Sequence, residues 1–156
     1  MTSVERIPRL IAFDLDGTIW RPEMYELWGG GAPFTKDEAD NTLRDRSGTK
    51  VKLLGESASI LDSLTKPPFE DTVVVWVSCT DEPKWADECL TKFTTANGIT
   101  SIGDVSNKKL NKIFKSNKRV HFEQLAKDTG IPFSDMLFFD NEGGNISNVA
   151  KLGVIR

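Results

Sequence analysis

Leu10-Ile11-Ala12-Phe13-Asp14-Leu15-Asp16-Gly17-Thr18 is the stretch on which the reading of this chain turns. Four consecutive apolar residues suit a strand buried on both faces. The strand then delivers two acids, a glycine and a hydroxyl. Thr72-Val73-Val74-Val75-Trp76-Val77 repeats the pattern with strong β propensity and runs into Ser78-Cys79-Thr80. Met136-Leu137-Phe138-Phe139 repeats it again and ends in Asp140-Asn141-Glu142. Ile99 to Ile102 reads as a further short strand, and Val154-Ile155 as the stub of another.

Helical patterns separate these runs. Glu56 to Thr65 places Ile60, Leu61 and Leu64 on one face. Pro83 to Ala96 begins with proline at a first helical position and ends at Asn97-Gly98, with Trp85, Cys89 and Phe93 spaced by four. Lys118 to Thr129 ends at Gly130, and Asn145 to Lys151 at Gly153. Strands alternating with helices predict an α/β fold: a three-layer, Rossmann-like sandwich around a mostly parallel sheet. Residues 21–55 break the rhythm. Gly29-Gly30-Gly31-Ala32-Pro33 interrupts regular structure, and Thr42 to Leu53 reads as a hairpin turning at Ser47-Gly48. The expectation is one domain over 1–156, with 21–55 as a small hairpin cap.

The composition fits that size. Of 156 residues, 38% are hydrophobic and 28% charged, which excludes wholesale disorder and coiled coil. No run approaches the ~18 apolar residues of a membrane span. The first ten residues carry no apolar core of a secretory signal. A net charge of −3 has the wrong sign for a nucleic-acid coat. Two cysteines, Cys79 and Cys89, make no disulfide framework. A monomer in a reducing compartment, cytoplasmic or nuclear, is expected.

In an open parallel sheet, ligands bind beyond the carboxyl ends of the strands. Asp14, Asp16, Ser78, Cys79 and Asp140 all fall there, and Lys118 opens the helix before the third run. Buried carboxylates are costly unless they are paired or bind a cation. Mg²⁺ takes one or two carboxylates with waters and phosphate oxygens. Asp14 and Asp140 supply such a pair, leaving Asp16 to hold or release a proton.

Asp14-Leu15-Asp16-Gly17-Thr18 resembles the first motif, DxDx[TV], of the haloacid dehalogenase superfamily phosphatases. Ser78, Lys118 and Asp140 follow in the order of its other three motifs. The flanking sequence is most similar to the eukaryotic magnesium-dependent phosphatase group. The similarity runs through Leu43-Arg44-Asp45-Arg46, Val77-Ser78-Cys79-Thr80, Lys118 to Glu123, Thr129 to Ser134, Phe138 to Glu142 and Leu152-Gly153-Val154. The resemblance implies a Mg²⁺-dependent phosphatase acting on a phosphorylated small molecule or a phosphoprotein. It implies Asp14 as the nucleophile that becomes an aspartyl-phosphate. Asp16 would be the acid and base, and its backbone carbonyl a metal ligand. Thr18 would position Asp16. Ser78 and the backbone N–H of Cys79 would cradle the phosphoryl group, and Lys118 would neutralise charge. Asp140 would anchor the metal, with Asn141 and Asn145 behind it. The fourth motif commonly reads Asp-Asp-Glu, so Asn141 is a departure.

Other readings attach to single residues. Lys115 rivals Lys118, and His121, the only histidine, reads as structural. Trp76 and Trp85 read as core, and Trp20 and Trp28 as a possible pocket lining. Cys79 near a helix N-terminus could have a lowered thiol pKa. Lys108 to Arg119 is a basic run that by default is solvated. A phosphatase for nucleic-acid ends and a phosphatase-like binding module without turnover are the alternatives. A receiver domain also pools acids, a hydroxyl and a lysine, but the DxDxT grouping on one strand disfavours it.

Overall fold

The computed structural model describes residues 6–156. In chain order its strands are β1 (Leu10–Phe13), β2 (Trp20–Arg21), β3 (Thr35–Asp37), β4 (Thr42–Arg44), β5 (Lys50–Leu53), β6 (Val73–Ser78), β7 (Lys112–Ile113) and β8 (Met136–Phe139). Its helices are α1 (Ser57–Ser63), α2 (Pro83–Lys92), α3 (Lys118–Thr129) and α4 (Gly143–Ala150). The main sheet is parallel in the order β7-β6-β1-β8. Leu10 pairs with Val73 on one side and Met136 on the other, so β1 is central.

Alternation along β1 divides the core into two layers, as the pleat requires. Ile11 and Phe13 pack with Leu61, Trp76, Cys89 and Phe93 on one face. Leu10 and Ala12 pack with Phe122, Leu125, Phe138 and Val149 on the other. The three-layer α/β sandwich is therefore the observed architecture. The chain leaves β1 toward β6 and later returns to β1's opposite edge as β8, so the strand order reverses between β1 and β8. That reversal opens the crevice in which such folds bind ligands.

The expected hairpin is present, with Leu43 opposite Val51. It is the centre of a larger element, an antiparallel sheet in the order β2-β5-β4-β3. One carboxylate organises its turn. Asp45, 5% exposed, accepts from Gly31 N (2.9 Å), Ser47 N (3.0 Å), Ser47 Oγ (2.7 Å) and Thr49 N (2.8 Å). Burial pushes the Asp45 carboxyl up, yet these donors outweigh it and hold the carboxyl below its usual range. The glycine run is needed beneath it. A Cβ at Gly30 would lie 2.1 Å from Asp45 Oδ2, and one at Gly31 2.2 Å from the Trp85 ring.

Several boundaries differ from the sequence reading. α2 stops at Lys92 rather than Ala96. Asn41 takes the backbone of Thr94 out of the helix, accepting from its N (3.0 Å) and donating to its O (2.8 Å). Ile99 to Ile102 is not a strand. Only the bridge Thr94–Ser101 forms, Ile102–Val105 is a 3-10 turn, and Ile99 is 87% exposed. Ile60 is 49% exposed and so leaves the expected apolar face of α1. The stub at Val154-Ile155 makes a single bridge, Ile155 to Leu137. α3 matches its expected limits, because Asn117 accepts from Val120 N at its start and Gly130 turns left-handed (φ 70°) at its end.

Gly31→Ala combines a left-handed φ of 84° with the collision against Trp85. We expect it to destabilise the fold by about 2–4 kcal/mol, from backbone strain and overpacking together. Denaturant titration measures this, and Gly48→Ala, which meets nothing within 4 Å, is the control for strain alone.

Candidate active site

Each apolar strand carries its polar terminus to the same edge of the sheet. Asp14 follows β1, Asp140 follows β8, and Ser78 closes β6. Between them lies Lys118, the first residue of α3, 2% exposed despite its charge. Its Nζ sits 2.8 Å from Asp14 Oδ1 and 3.6 Å from Asp140 Oδ2, and donates also to the Val77 carbonyl. The Asp140 side chain has no solvent exposure, and Asp14 is 7% exposed. Two buried carboxylates thus share one ammonium. Burial raises the Asp14 carboxyl to about 6; Lys118 opposes the shift, and Asp140 adds to it.

Asp16 is held differently. Trp20 Nε1 donates to Asp16 Oδ1 at 2.8 Å, and the backbone N–H of Met24 also reaches its carboxylate. Burial raises its pKa, against these hydrogen bonds. Asp16 is therefore fixed by the segment that leads into the antiparallel sheet. The sequence offers Trp20 as a possible pocket wall. It is fully buried and acts as a donor to Asp16 instead, while Trp28 is 86% exposed and away from the cleft lining. The residue four places beyond Asp16 was the available signal.

The structure also corrects the partner expected for Thr18. Its hydroxyl donates to Asp14 Oδ2 (3.2 Å) and accepts from Asn141 N (3.0 Å), and it makes no hydrogen bond to Asp16. Asn145 Nδ2 donates to Asp140 Oδ2 (3.0 Å) and Glu142 Oε2 (3.3 Å). Ser78 Oγ accepts weakly from Thr80 N (3.3 Å).

A cleft of about 270 Å³ opens above Asp14, Asp16, Ser78, Cys79, Lys118 and Asn145. Thr80 and Glu142, from the strand ends, complete its wall together with Glu23, Tyr25 and Asp81, which the sequence does not single out. Tyr25 is 67% exposed and leans on Glu23, which raises its pKa.

The rival residues separate cleanly. Lys115 pairs with Asp81 (3.0 Å) on the surface. Lys108 pairs with Asp104 and Lys112 with Asp128, each at 2.8 Å, so the basic run is divided among ion pairs. His121 is fully buried, its Nε2 3.1 Å from the Phe114 carbonyl, and burial lowers its pKa to about 4. It is a neutral core residue. The Cys79 thiol donates to Ser116 O (2.6 Å), and burial raises its pKa, contrary to the lowering expected from a helix N-terminus. α2 begins only at Pro83, too far along to lend that field.

The donor set fits a hard divalent cation. Among the described residues no three His, Cys, Asp or Glu side chains enclose a metal by themselves. Mg²⁺ needs only one or two carboxylates, with waters and phosphate oxygens for the rest. Asp14 and Asp140 offer oxygen ligands that share the single ammonium of Lys118.

Known proteins bear on this geometry. The chain matches the acid phosphatase family over residues 6–156. It is 36% identical over 152 residues to magnesium-dependent phosphatase 1 of Homo sapiens, covering 96% of this chain and 76% of that protein. It is 28% identical over 151 residues to a HAD-like hydrolase superfamily protein of Schizosaccharomyces pombe, covering 94% and 83%. Its fold is similar to that of the N-terminal part of a Bacteroides fragilis protein containing a phosphatase domain, crystallised with Mg. The TM-score is 0.61 at 16% identity, over 96% of this chain and 35% of that one. With its motifs converging on one sheet edge and its whole described length matched, this chain belongs to the acid phosphatase family of haloacid dehalogenase-like hydrolases.

Proposed function

We propose that the protein is a Mg²⁺-dependent phosphatase that hydrolyses phosphomonoesters through an aspartyl-phosphate on Asp14. The observation that carries this reading is the Asp14–Lys118–Asp140 cluster at the mouth of the β1/β8 crevice. A Mg²⁺ ion would be held by the carboxylates of Asp14 and Asp140 and the backbone carbonyl of Asp16, and would neutralise charge on the phosphoryl oxygens. The other parts belong to the chain.

An Asp14 oxygen attacks phosphorus, and the bond from phosphorus to the leaving oxygen breaks. Asp16 gives its proton to that oxygen. Its raised pKa, set by burial, favours holding that proton until it is needed. Water then attacks phosphorus, Asp16 takes the proton back, and the bond to Asp14 breaks. Ser78 Oγ–H and the Cys79 N–H hold the equatorial oxygens, where transition-state charge gathers. Lys118 stays in place, fixed by the Val77 carbonyl. Residues 21–55 serve as a small cap on a single domain. Their sheet steadies Asp16 but leaves the cleft open to a phosphorylated metabolite or a phosphorylated side chain. No helix among the described residues is long and apolar enough to cross a membrane. We take the compartment to be the cytoplasm.

Asp14→Asn tests the nucleophile twice. Turnover of an aryl phosphate should fall to background, and a residue of more than a few per cent, with deamidation excluded by mass, would speak against this assignment. Stability should move the other way. Asp14 holds its proton more tightly folded than unfolded, so the fold loses stability as pH rises from 3.8 through about 6. Above that range the penalty is complete. Metal-free Asp14→Asn should then be more stable than wild type by up to about 3 kcal/mol, for a shift of roughly two units, less what Lys118 loses as a partner. Below the unfolded value the difference should vanish. Melting curves across pH measure it.

Removing the metal with EDTA should abolish turnover, and added Mg²⁺ should restore it and raise the melting temperature by mass action. Asp140→Ala should lose both responses. Full activity in EDTA would contradict the metal's role.

A further inference from the structure

We infer that Asn141 is a positioning residue whose carboxamide ties the nucleophile Asp14 to Asp140, so that the two carboxylates keep their relative place without a bound cation. The inference rests on the phosphatase reading for the names of those roles, but its geometry stands alone. One orientation of the Asn141 amide satisfies both its ends. With its nitrogen toward the acids, it donates to Asp140 Oδ1 (3.2 Å) and to Asp14 Oδ2 (3.2 Å). Few neutral side chains can do this, since it takes two N–H donors on one atom.

The carboxamide is held there by groups of the first motif. The Asn141 N–H donates to Thr18 Oγ1 (3.0 Å), and the same hydroxyl donates to Asp14 Oδ2 (3.2 Å). Gly17 lies directly against the amide; a Cβ there would come within 2.6 Å of the end of the carboxamide turned away from the acids, its oxygen in this orientation. A left-handed φ of 78° adds to the reason for glycine. Asp140 gains further donors from Glu142 N (2.8 Å) and Asn145 Nδ2 (3.0 Å). Each acid therefore has its own donors, and two groups span the pair: Lys118 from within the core and Asn141 from the solvent side.

An aspartate at 141 would convert the bridging donor into a third acceptor beside two carboxylates that already share one ammonium. Like charges at such range disfavour ionisation and push apart. A cation would then have to supply the bridge. The asparagine thus exchanges some affinity for Mg²⁺ against a site that is assembled before the metal arrives.

Three proteins test this by thermal melting above the Asp14 pKa: wild type, Asn141→Ala, which removes the donor, and Asn141→Asp, which also adds charge. Metal-free melting carries the test, because it needs neither turnover nor a bound ion. The expected order is wild type highest and Asn141→Asp lowest. On Mg²⁺ titration Asn141→Asp should regain most of its loss, with an apparent Kd about five- to tenfold tighter than wild type. In saturating Mg²⁺, Asn141→Ala should lose kcat about tenfold while KM moves less than threefold, the signature of a misplaced reacting group. Equal metal-free melting of all three, or Asn141→Asp above Asn141→Ala, overturns the inference. So does a deficit of the same size with and without Mg²⁺, which would mark an ordinary structural hydrogen bond. If wild type shows neither a Mg²⁺ shift nor turnover, the phosphatase reading fails, while the order of the metal-free melts still decides what Asn141 does.

Discussion

One ammonium buried between two carboxylates is the constraint around which this protein is arranged. Lys118 is 2% exposed, and the Asp140 side chain is not exposed at all. Charges so placed are tolerated only when each has partners, because desolvation is otherwise too costly. The chain meets that demand from three distant segments. Asp14 comes from the end of the first strand, Lys118 from the start of a helix over a hundred residues on (|i−j| = 104), and Asp140 from the last strand. Their meeting requires β1 to sit between β6 and β8 and α3 to begin beneath the sheet's carboxyl edge. The parallel order β7-β6-β1-β8 supplies both.

The small antiparallel sheet answers a second demand. In the proposed mechanism Asp16 carries a proton beside Asp14 without sharing its partners. Trp20 and Met24 hold it from the cap side, whereas Lys118, Thr18 and Asn141 hold Asp14 from the core and the β8 loop. Two neighbouring acids thus receive separate environments from separate elements, and different environments give two carboxylates different tasks. The glycine run and Asp45 fit the same logic. They close the β4–β5 turn and set Gly31 against the Trp85 ring of α2, which ties the antiparallel sheet to the core.

The sequence showed the parts of this arrangement that local signals encode. β1, β6 and β8 are apolar runs, and α3 has a capping asparagine and a terminal glycine. The acids, serine and lysine proposed for the site stand at strand and helix ends, where the sequence singles them out. What escaped was decided by partners far along the chain. α2 ends early because Asn41, 53 residues from Thr94, competes for its backbone. β7 is two residues long, and its Lys112 is buried only because Asp128 pairs with it (2.8 Å). β2 and β3 are too short to show any periodicity, so a four-stranded sheet looked like a hairpin. The family resemblance implies that Thr18 positions Asp16. The fold turns it toward Asp14 and the Asn141 backbone.

The charge of the cleft explains why such a site depends on a cation before any chemistry is considered. Five carboxylates line it, those of Asp14, Asp16, Glu23, Asp81 and Glu142, and Lys118 is the one ammonium in that lining. Even with Asp16 protonated, a phosphomonoester dianion would enter a field of its own sign. Lys118 has little to spare, since Asp14 and the Val77 carbonyl accept from its ammonium and Asp140 shares its charge at 3.6 Å. Positive charge has to come from outside, and two carboxylates at the sheet edge are the groups able to hold it. A divalent ion there reverses the local balance where the phosphoryl group must sit, while the acids farther out are screened by water. In the proposed mechanism, metal dependence thus follows from the same buried carboxylates that furnish the nucleophile. A site relieved of them by more lysines would admit phosphate readily, but it would have no carboxylate left to attack it.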